Sequence, residues 1–383
     1  MRVLHFRRRF SKLSETFIYD QLVELARGPG THRMLTLRRE NSDTRPFPEV
    51  ILVAPPPRWH PLRAGLWLSA KVQREPVQFR GFSLVRTLLD RSVRRYRPDV
   101  IHAHFGVEGA IIAPVARRFG IPLITSFYGY DASSLMDDPI WQKVMAQEVF
   151  SGRWVVSVSD RMSARLIGFG LLPAKARVIH LGKPLGEYPF RPSTEIRRFL
   201  SIGRMTEKKG HFDGIRAFIQ ASRGTAGAHL DVVGGGELLE DVRELVRREE
   251  AEALVTVHGA LPHAEVRLLL MAADAFLLAS KTATDGDEEG MPTVLTEAQA
   301  GGLPCVSTFH AGIPEGIPRE NHRFLAPEGD VNGLASCVSR LLDASAEEIQ
   351  AIARAGRAHV EDHYDLVKET AKWVALYEEC VGS

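Results

Sequence analysis

Phe199-Leu-Ser-Ile-Gly203-Arg204-Met-Thr-Glu-Lys208-Lys209-Gly210 decides how this 383-residue chain is built. A short apolar run stops at a glycine, a basic turn follows, and a helical pattern starts after Gly210. That is the strand–turn–helix unit of a parallel sheet covered by helices. Gly203 lets the backbone turn at the strand's carboxyl end. Arg204 offers a planar fork suited to phosphate oxygens, and Lys209 adds a second cation. A solvated basic pair is the plainer account of the same residues.

Working outward, short β-rich runs alternate with helical patterns in two series. The first comprises 3–6, 33–37, 50–53, 100–104, 123–127, 154–157 and 178–181; the second comprises 199–202, 230–233, 255–258, 275–279, 305–308 and 324–325. Between them, apolar residues recur at helical intervals, as in Phe17, Leu22 and Leu25 or Leu238, Val242, Leu245 and Val246. The alternation predicts an α/β protein of two Rossmann-like domains facing across a cleft. The boundaries expected are 1–187 for the first domain and 195–365 for the second. The stretch 183–197, with three prolines, reads as the connection. A last helix, 366–383, is a candidate to dock back onto the first domain.

Composition bounds the function. Apolar residues make up 44% and charged residues 25%, ordinary for a globular protein. Cys305, Cys337 and Cys380 are too few and too scattered for a disulfide framework or a zinc site. No apolar stretch reaches the roughly 20 residues of a membrane-spanning helix. The start turns basic at Arg7-Arg-Arg9 before an apolar run develops, which reads against a signal peptide. A cytoplasmic protein is expected. The net charge of +2 hides an asymmetry: residues 1–100 carry 20 Lys/Arg against 9 Asp/Glu, about +11, leaving about −9 for the rest. A basic first quarter suits an anionic partner, and without a nucleic-acid-binding signature a lipid surface or phosphorylated substrate ranks above nucleic acid. Residues 55–81, with Trp59 and Trp67 among prolines and arginines, fit an interfacial membrane patch, a lid or an ordinary loop and helix.

The segment 285–304 carries the most chemistry. An acidic loop leads through Glu289 and Gly290 to Pro292 at a first helical turn, and a helix over 293–300 ends at Gly301-Gly302. A helix start after glycine exposes amides and a positive dipole end, which suit a diphosphate. Glu289 and Glu297, two turns apart, suit hydroxyl groups at the two ends of one ligand, since carboxylates are not phosphate ligands. The acidic loop disfavours a uronic acid as the sugar. His102 and His104 are expected on opposite sides of their strand, with His104 nearer the carboxyl end and no third metal ligand nearby.

Taken together, Gly203-Arg204 with Lys209-Gly210, Val232-Val-Gly-Gly-Gly236, Glu289-Gly-Met-Pro-Thr-Val-Leu-Thr-Glu297, Gly302-Leu-Pro-Cys-Val-Ser-Thr308 and Gly312-Ile-Pro-Glu315 resemble the family-4 retaining glycosyltransferases of the two-domain GT-B fold. The likeness covers almost the whole second domain. In the first, Leu13-Ser-Glu-Thr-Phe17, Asp99-Val-Ile-His-Ala-His-Phe-Gly106 and Tyr128-Gly-Tyr-Asp131 look most like bacterial exopolysaccharide or colanic-acid-type transferases. The resemblance implies a nucleotide-sugar co-substrate of unspecified base in the second domain. It implies a saccharide or lipid-linked saccharide acceptor in the first, with no cofactor and no metal. It assigns Arg204 and Lys209 to the diphosphate, Glu289 to the donor sugar and Glu297 to the ribose. Gly203, Gly290, Met291, Pro292 and Thr293 complete the implied donor site. Glu15, Thr16, His104, Tyr128 and Asp131 are the acceptor-side candidates.

Three departures stand out. Tyr128 stands where many family members have a histidine near the reacting sugar, and either donates a hydrogen bond there or packs. His180-Leu-Gly-Lys183-Pro replaces the usual Gly-Val-Asp, and Ser14-Glu15-Thr16 replaces an N-terminal glycine-rich loop. A nucleotide-sugar epimerase and a transferase-like protein that binds without turnover are the competing readings.

Overall fold

The computed structural model describes residues 1–54 and 82–382. The stretch carrying Trp59 and Trp67 lies outside the described residues, and with it the membrane-patch or lid expectation. The chain divides into two compact units. Met1–Val158, Ser163–Ile179 and Leu366–Ser383 form one; Ser159–Met162 and His180–Asp365 form the other.

The first unit holds strands β1 (Arg2–Phe6), β2 (Arg9–Phe10), β3 (Thr31–Thr36), β4 (Arg38–Arg39), β5 (Val50–Leu52), β6 (Val100–His104), β7 (Leu123–Phe127), β8 (Trp154–Ser157) and β9 (Ala176–Val178). Seven of them form one parallel sheet in the order β5-β3-β1-β6-β7-β8-β9, while β2 and β4 pair separately. The second unit holds β10 (Arg198–Ile202), β11 (His229–Val233), β12 (Val255–Gly259), β13 (Ala275–Leu277), β14 (Cys305–Thr308) and β15 (Leu325–Ala326). They form a parallel sheet in the order β12-β11-β10-β13-β14-β15. In both sheets the strand order reverses beside the first strand, between β1 and β6 and between β10 and β13. Those are the switch points outside which doubly wound sheets hold ligands.

The central strands are apolar runs because helices cover both faces, and every residue of β6 and β7 is buried. One face of the first sheet is closed by the helix Leu366–Val381. Its Trp373, Leu376, Tyr377 and Cys380 pack with Val3, Val100, Ile124 and Val156. Burying one such large side chain contributes about 1.5–3 kcal/mol, so this helix is part of the first unit's core.

The boundary falls at Ile179–His180, ahead of the residue 187 expected, and 183–197 is not a free connection. The Lys183 amide donates to the Tyr364 carbonyl at 2.8 Å and the Arg191 amide to the Gly301 carbonyl at 2.9 Å. Prolines here shape a segment that is fastened to the second unit. The strand read at 178–181 lies at β9, a few residues earlier.

Two glycines bring the strand ends of the second unit together. Gly210, at φ +63°, sits so close to β13 that a Cβ would lie 1.7 Å from the Ala279 carbonyl oxygen. Gly234, at φ +151°, would place a Cβ 1.7 Å from the Gly203 oxygen. Only glycine fits positions where one backbone lies against another.

Candidate functional site

In the second unit, β10 ends at Ile202 and the Gly203 amide bonds back to the Val233 carbonyl at 3.0 Å. The chain then forms a 3-10 turn over Glu207–Lys209, and Gly210 leads into the helix His211–Ser222. This turn folds Lys209 back over Gly203, where a Cβ would meet the lysine stem at 3.2 Å. The Lys209 ammonium reaches Glu289 Oε1 at 3.0 Å. Burial pushes the Glu289 carboxyl up, but Lys209 and then Lys208 outweigh it and hold its pKa below the usual carboxylate range. Glu289 is therefore an ionised acceptor with a cation beside it.

The loop bearing Glu289 is held from two further directions. Lys208 pairs with Asp287 at 2.9 Å. The Glu289 amide donates to His310 Nε2 at 3.1 Å, which requires that nitrogen to be unprotonated. His310 Nδ1–H therefore donates to Glu328 Oε1, 2.8 Å away. Glu328 Oε2 in turn accepts from the amide and hydroxyl of Thr282. The sequence reading missed His310 and Glu328. The available signal was the placement of His310 two residues before Gly312-Ile-Pro-Glu315.

Beyond the loop, the Gly290 carbonyl accepts from the Gly312 amide at 3.2 Å, and Met291 packs over Gly316. Pro292 precedes the helix Thr293–Gly301, which has no side-chain cap at its start and ends at Gly302 with φ +94°. An uncapped first turn leaves amide donors available to an anion. Glu315 accepts the amides of Asp160 and Arg161 at 2.6 and 2.8 Å, a structural use of that motif residue.

Arg204 is exposed, with its carbonyl bonded to His211 Nε2–H, and its guanidinium has no ion pair among the described residues. Glu297, placed on the ribose by the family resemblance, is in an ion pair with Lys183 at 2.6 Å. The structure thus joins Gly203, Lys209 and Glu289 directly and sets Glu297 beside a cation that the sequence reading left without a role.

The first unit gathers its candidates differently. His5 and His102 are register partners on β1 and β6. His102 and His104 do not point to opposite sides: their rings stack at 4.2 Å on one face, as residues two apart on a strand must. His5 is the third histidine whose absence was expected, and nitrogens of the three lie within 4.8 Å of one another. Those nitrogens are engaged in hydrogen bonds. Tyr128 Oη meets His104 Nδ1 at 2.7 Å, His104 Nε2 meets His5 Nδ1 at 3.1 Å, and His5 Nε2 meets His32 Nδ1 at 3.1 Å. His102 is taken up by Tyr377 Oη at 2.8 Å and Ser126 Oγ at 2.7 Å. Burial, followed by the neighbouring imidazoles, drives the pKa values of His5 and His102 well below 6.5; His104 follows, with Arg7 contributing. His5, His102 and His104 are neutral, and each of their ring nitrogens has a hydrogen-bond partner.

Two acceptor-side candidates are committed to holding the fold. Asp131 is fully buried, and its carboxylate accepts the amides of Gly106, Tyr128 and Gly129 at 2.9–3.1 Å. Desolvation exceeds those bonds and pushes its pKa up to about 6. Its place is to stitch the loop after β7 to the start of the helix Gly106–Phe119, not to meet acceptor hydroxyls. Glu15 is buried against Arg7, with contacts of 2.7 and 3.0 Å, and Arg7 also reaches Glu108 at 2.6 Å. Thr16 opens the helix Thr16–Leu25. Tyr128 is buried between Phe17 and Phe105, both at 4.8 Å. Its hydroxyl is engaged with His104 Nδ1 and its ring with packing.

Comparisons with known proteins agree with this geometry. Residues 14–185 match the family described as Glycosyltransferase Family 4, and residues 196–344 match Glycosyl transferases group 1. The chain is 30% identical over 310 residues to the putative colanic acid biosynthesis glycosyltransferase WcaL of Escherichia coli K12, covering 79% of this chain and 76% of WcaL. It is 30% identical to the amylovoran biosynthesis glycosyltransferase AmsK of Erwinia amylovora, covering 74% and 70%. Among solved structures, Anabaena HepE in complex with UDP and glucose aligns with a TM-score of 0.75 at 16% identity, over 99% of this chain and 100% of that one. Two parallel sheets of GT-B type, a lysine and a glutamate joined at the switch point of the second, and relatives at this level all lead to one conclusion: the chain belongs to glycosyltransferase family 4 and is a glycosyltransferase.

Proposed function

We propose that the chain transfers a sugar from a nucleotide-sugar to a hydroxyl of a saccharide or lipid-linked saccharide acceptor, with retention at the anomeric carbon and without a metal. The observation that carries this reading is the 3.0 Å pair between Lys209 and Glu289, which sets a cation for phosphate beside an ionised acceptor for sugar hydroxyls. Arg204, exposed and without an ion pair among the described residues, supplies a second cation for the departing diphosphate. Preorganised donors of this kind act where charge develops in the transition state. The proton of the attacking hydroxyl passes to the leaving phosphate on the same face, so no carboxylate nucleophile is required. The likeness to WcaL and AmsK supports a saccharide acceptor in polysaccharide assembly.

The test is a thermal-shift screen against UDP-, GDP-, ADP- and dTDP-sugars with and without EDTA, followed by the anomeric configuration of the product. One donor should raise the melting temperature selectively, because binding to the folded state stabilises it by mass action. Loss of turnover in EDTA, an inverted product or a trapped glycosyl-enzyme would overturn the corresponding part of the proposal. Isomerised sugar from donor alone would favour the epimerase reading.

The basic first quarter supports peripheral contact with an anionic membrane. The helix Phe82–Tyr96 carries Arg86, Arg91, Arg94 and Arg95, and no described helix is long and apolar enough to cross a bilayer. Sedimentation with vesicles of anionic lipid should capture the protein at low salt and release it at 0.5 M, where charge attraction is screened. Capture that is absent, or indifferent to salt, removes the idea.

A further inference from the structure

Lys183 lies in the segment where the chain departs from its family, and its side chain is 3% exposed. Its backbone is fixed by the hydrogen bond its amide donates to the Tyr364 carbonyl and by a parallel bridge to Asp365. From that anchor the side chain sends its ammonium to Glu297 Oε1 at 2.6 Å. Glu297 is on the helix that begins beside the Glu289 loop, and its side chain is 21% exposed. The pair therefore has a dry end at the lysine and an open end at the carboxylate.

Two physical points argue that this pair does more than fasten the segment. A buried ion pair returns little net stability, because desolvation offsets the attraction between its members. Among the described residues, the Lys183 ammonium is paired with Glu297 and is shielded from solvent behind it. A carboxylate has about four lone-pair sites, so Glu297 is able to keep Lys183 on Oε1 while Oε2 accepts from a ligand. The outward side of the pair is thus the carboxylate, an acceptor fixed in place by the lysine behind it. A diol, whose hydroxyls donate, is the complement of that acceptor.

We propose that Lys183 is a ribose-positioning residue of the donor site. It holds the Glu297 carboxylate with Oε2 toward the diol of the bound nucleoside diphosphate. This rests on the proposed nucleotide-sugar transfer and on the assignment of Glu297 to the ribose that the family resemblance implies. The addition is that the carboxylate reads the diol only while the lysine holds it in place. Lys183 thereby sets selectivity for a ribonucleotide over its 2′-deoxy counterpart.

The experiment is calorimetric titration of the full chain with UDP, GDP and their 2′-deoxy counterparts. The wild type, Lys183→Met, Lys183→Gln, Lys183→Arg and Glu297→Gln are compared, with melting temperatures measured in parallel. The wild type is expected to bind the preferred ribonucleotide at least about tenfold more tightly than its 2′-deoxy form, since a site built for a hydroxyl rejects the analogue lacking it. Lys183→Met should reduce that ratio to under about threefold by weakening the ribonucleotide alone, and Lys183→Arg should restore most of it. Lys183→Gln removes the charge and shortens the side chain by one atom while leaving a polar group for the buried site, so the ratio should fall there too even if the methionine variant does not fold.

A ratio unchanged in the folded variants, equal weakening of both nucleotides or tighter binding on removing the lysine would overturn the proposal. So would a wild type that does not distinguish the two nucleotides. A retained ratio in Glu297→Gln instead sinks the ribose assignment of Glu297. Failure of the wild type to bind any nucleotide or nucleotide-sugar rejects the transferase site and this inference with it.

Discussion

Lys209→Ala is expected to lower turnover by about two to three orders of magnitude and to destabilise the second unit as well. The rate loss corresponds to about 2–4 kcal/mol of transition-state stabilisation, the size of a preorganised electrostatic contact to developing charge. The stability loss has a separate cause. Glu289 is held ionised by Lys209, and removing one member of a buried pair leaves a charge without compensation, at a cost of about 3–5 kcal/mol. Arg204→Ala separates the two effects. Its guanidinium is exposed and has no ion pair among the described residues, so turnover should fall by a similar factor while the melting temperature stays within a degree or so. Steady-state kinetics and thermal unfolding of both variants provide the check. Near-normal turnover in either would remove that residue from the diphosphate.

Acidification is expected to destabilise the first unit more than the second, in which burial holds His211 at about 4 and His359 below its usual value. His5, His102 and His104 have pKa values far below 6.5, and burial lowers His32 to about 4. Between about pH 6.5 and 4 the unfolded chain therefore binds protons that the folded array refuses. Stability is fully present above the unfolded value and is lost as pH falls through that window. Each imidazole costs about 1 kcal/mol between pH 6.5 and 5.5, and Asp131 opposes one of them because its folded pKa is raised to about 6. The net loss over that single unit of pH is about 3 kcal/mol. Among the described residues every tryptophan, Trp141, Trp154 and Trp373, lies in the first unit, so tryptophan fluorescence in urea reports on that unit. A midpoint independent of pH between 6.5 and 5.5 would contradict the neutral array.

The contrast between the units also shows what the sequence discloses. Periodicity located the parallel strands because each is a local apolar run bounded by turn residues. It located the helix Thr293–Gly301 because Pro292 and Gly302 punctuate it locally. The Lys209–Glu289 pair was approachable for the same reason: both residues sit in motifs whose neighbours fix their place. The histidine array was not legible, since it draws on β1, β3 and β6 and on Tyr377, 275 residues beyond His102. Residues two apart on β6 share a face, so the error over His102 and His104 was one of strand parity and not of missing information. Asp131 and Glu15 illustrate a further limit. An acid beside a motif looks available until the structure shows backbone amides, or Arg7, already occupying it.

The helix Leu366–Val381 has a consequence for how the polypeptide is made. It covers the sheet that contains β1, so the half of the molecule that emerges first from the ribosome is completed by the stretch that emerges late, after the whole second unit. Until then the face carrying Val3, Val100 and Ile124 has no cover during synthesis. The nascent chain has to carry a greasy, unfinished platform through most of its elongation, which makes holding chaperones a natural companion of its biogenesis.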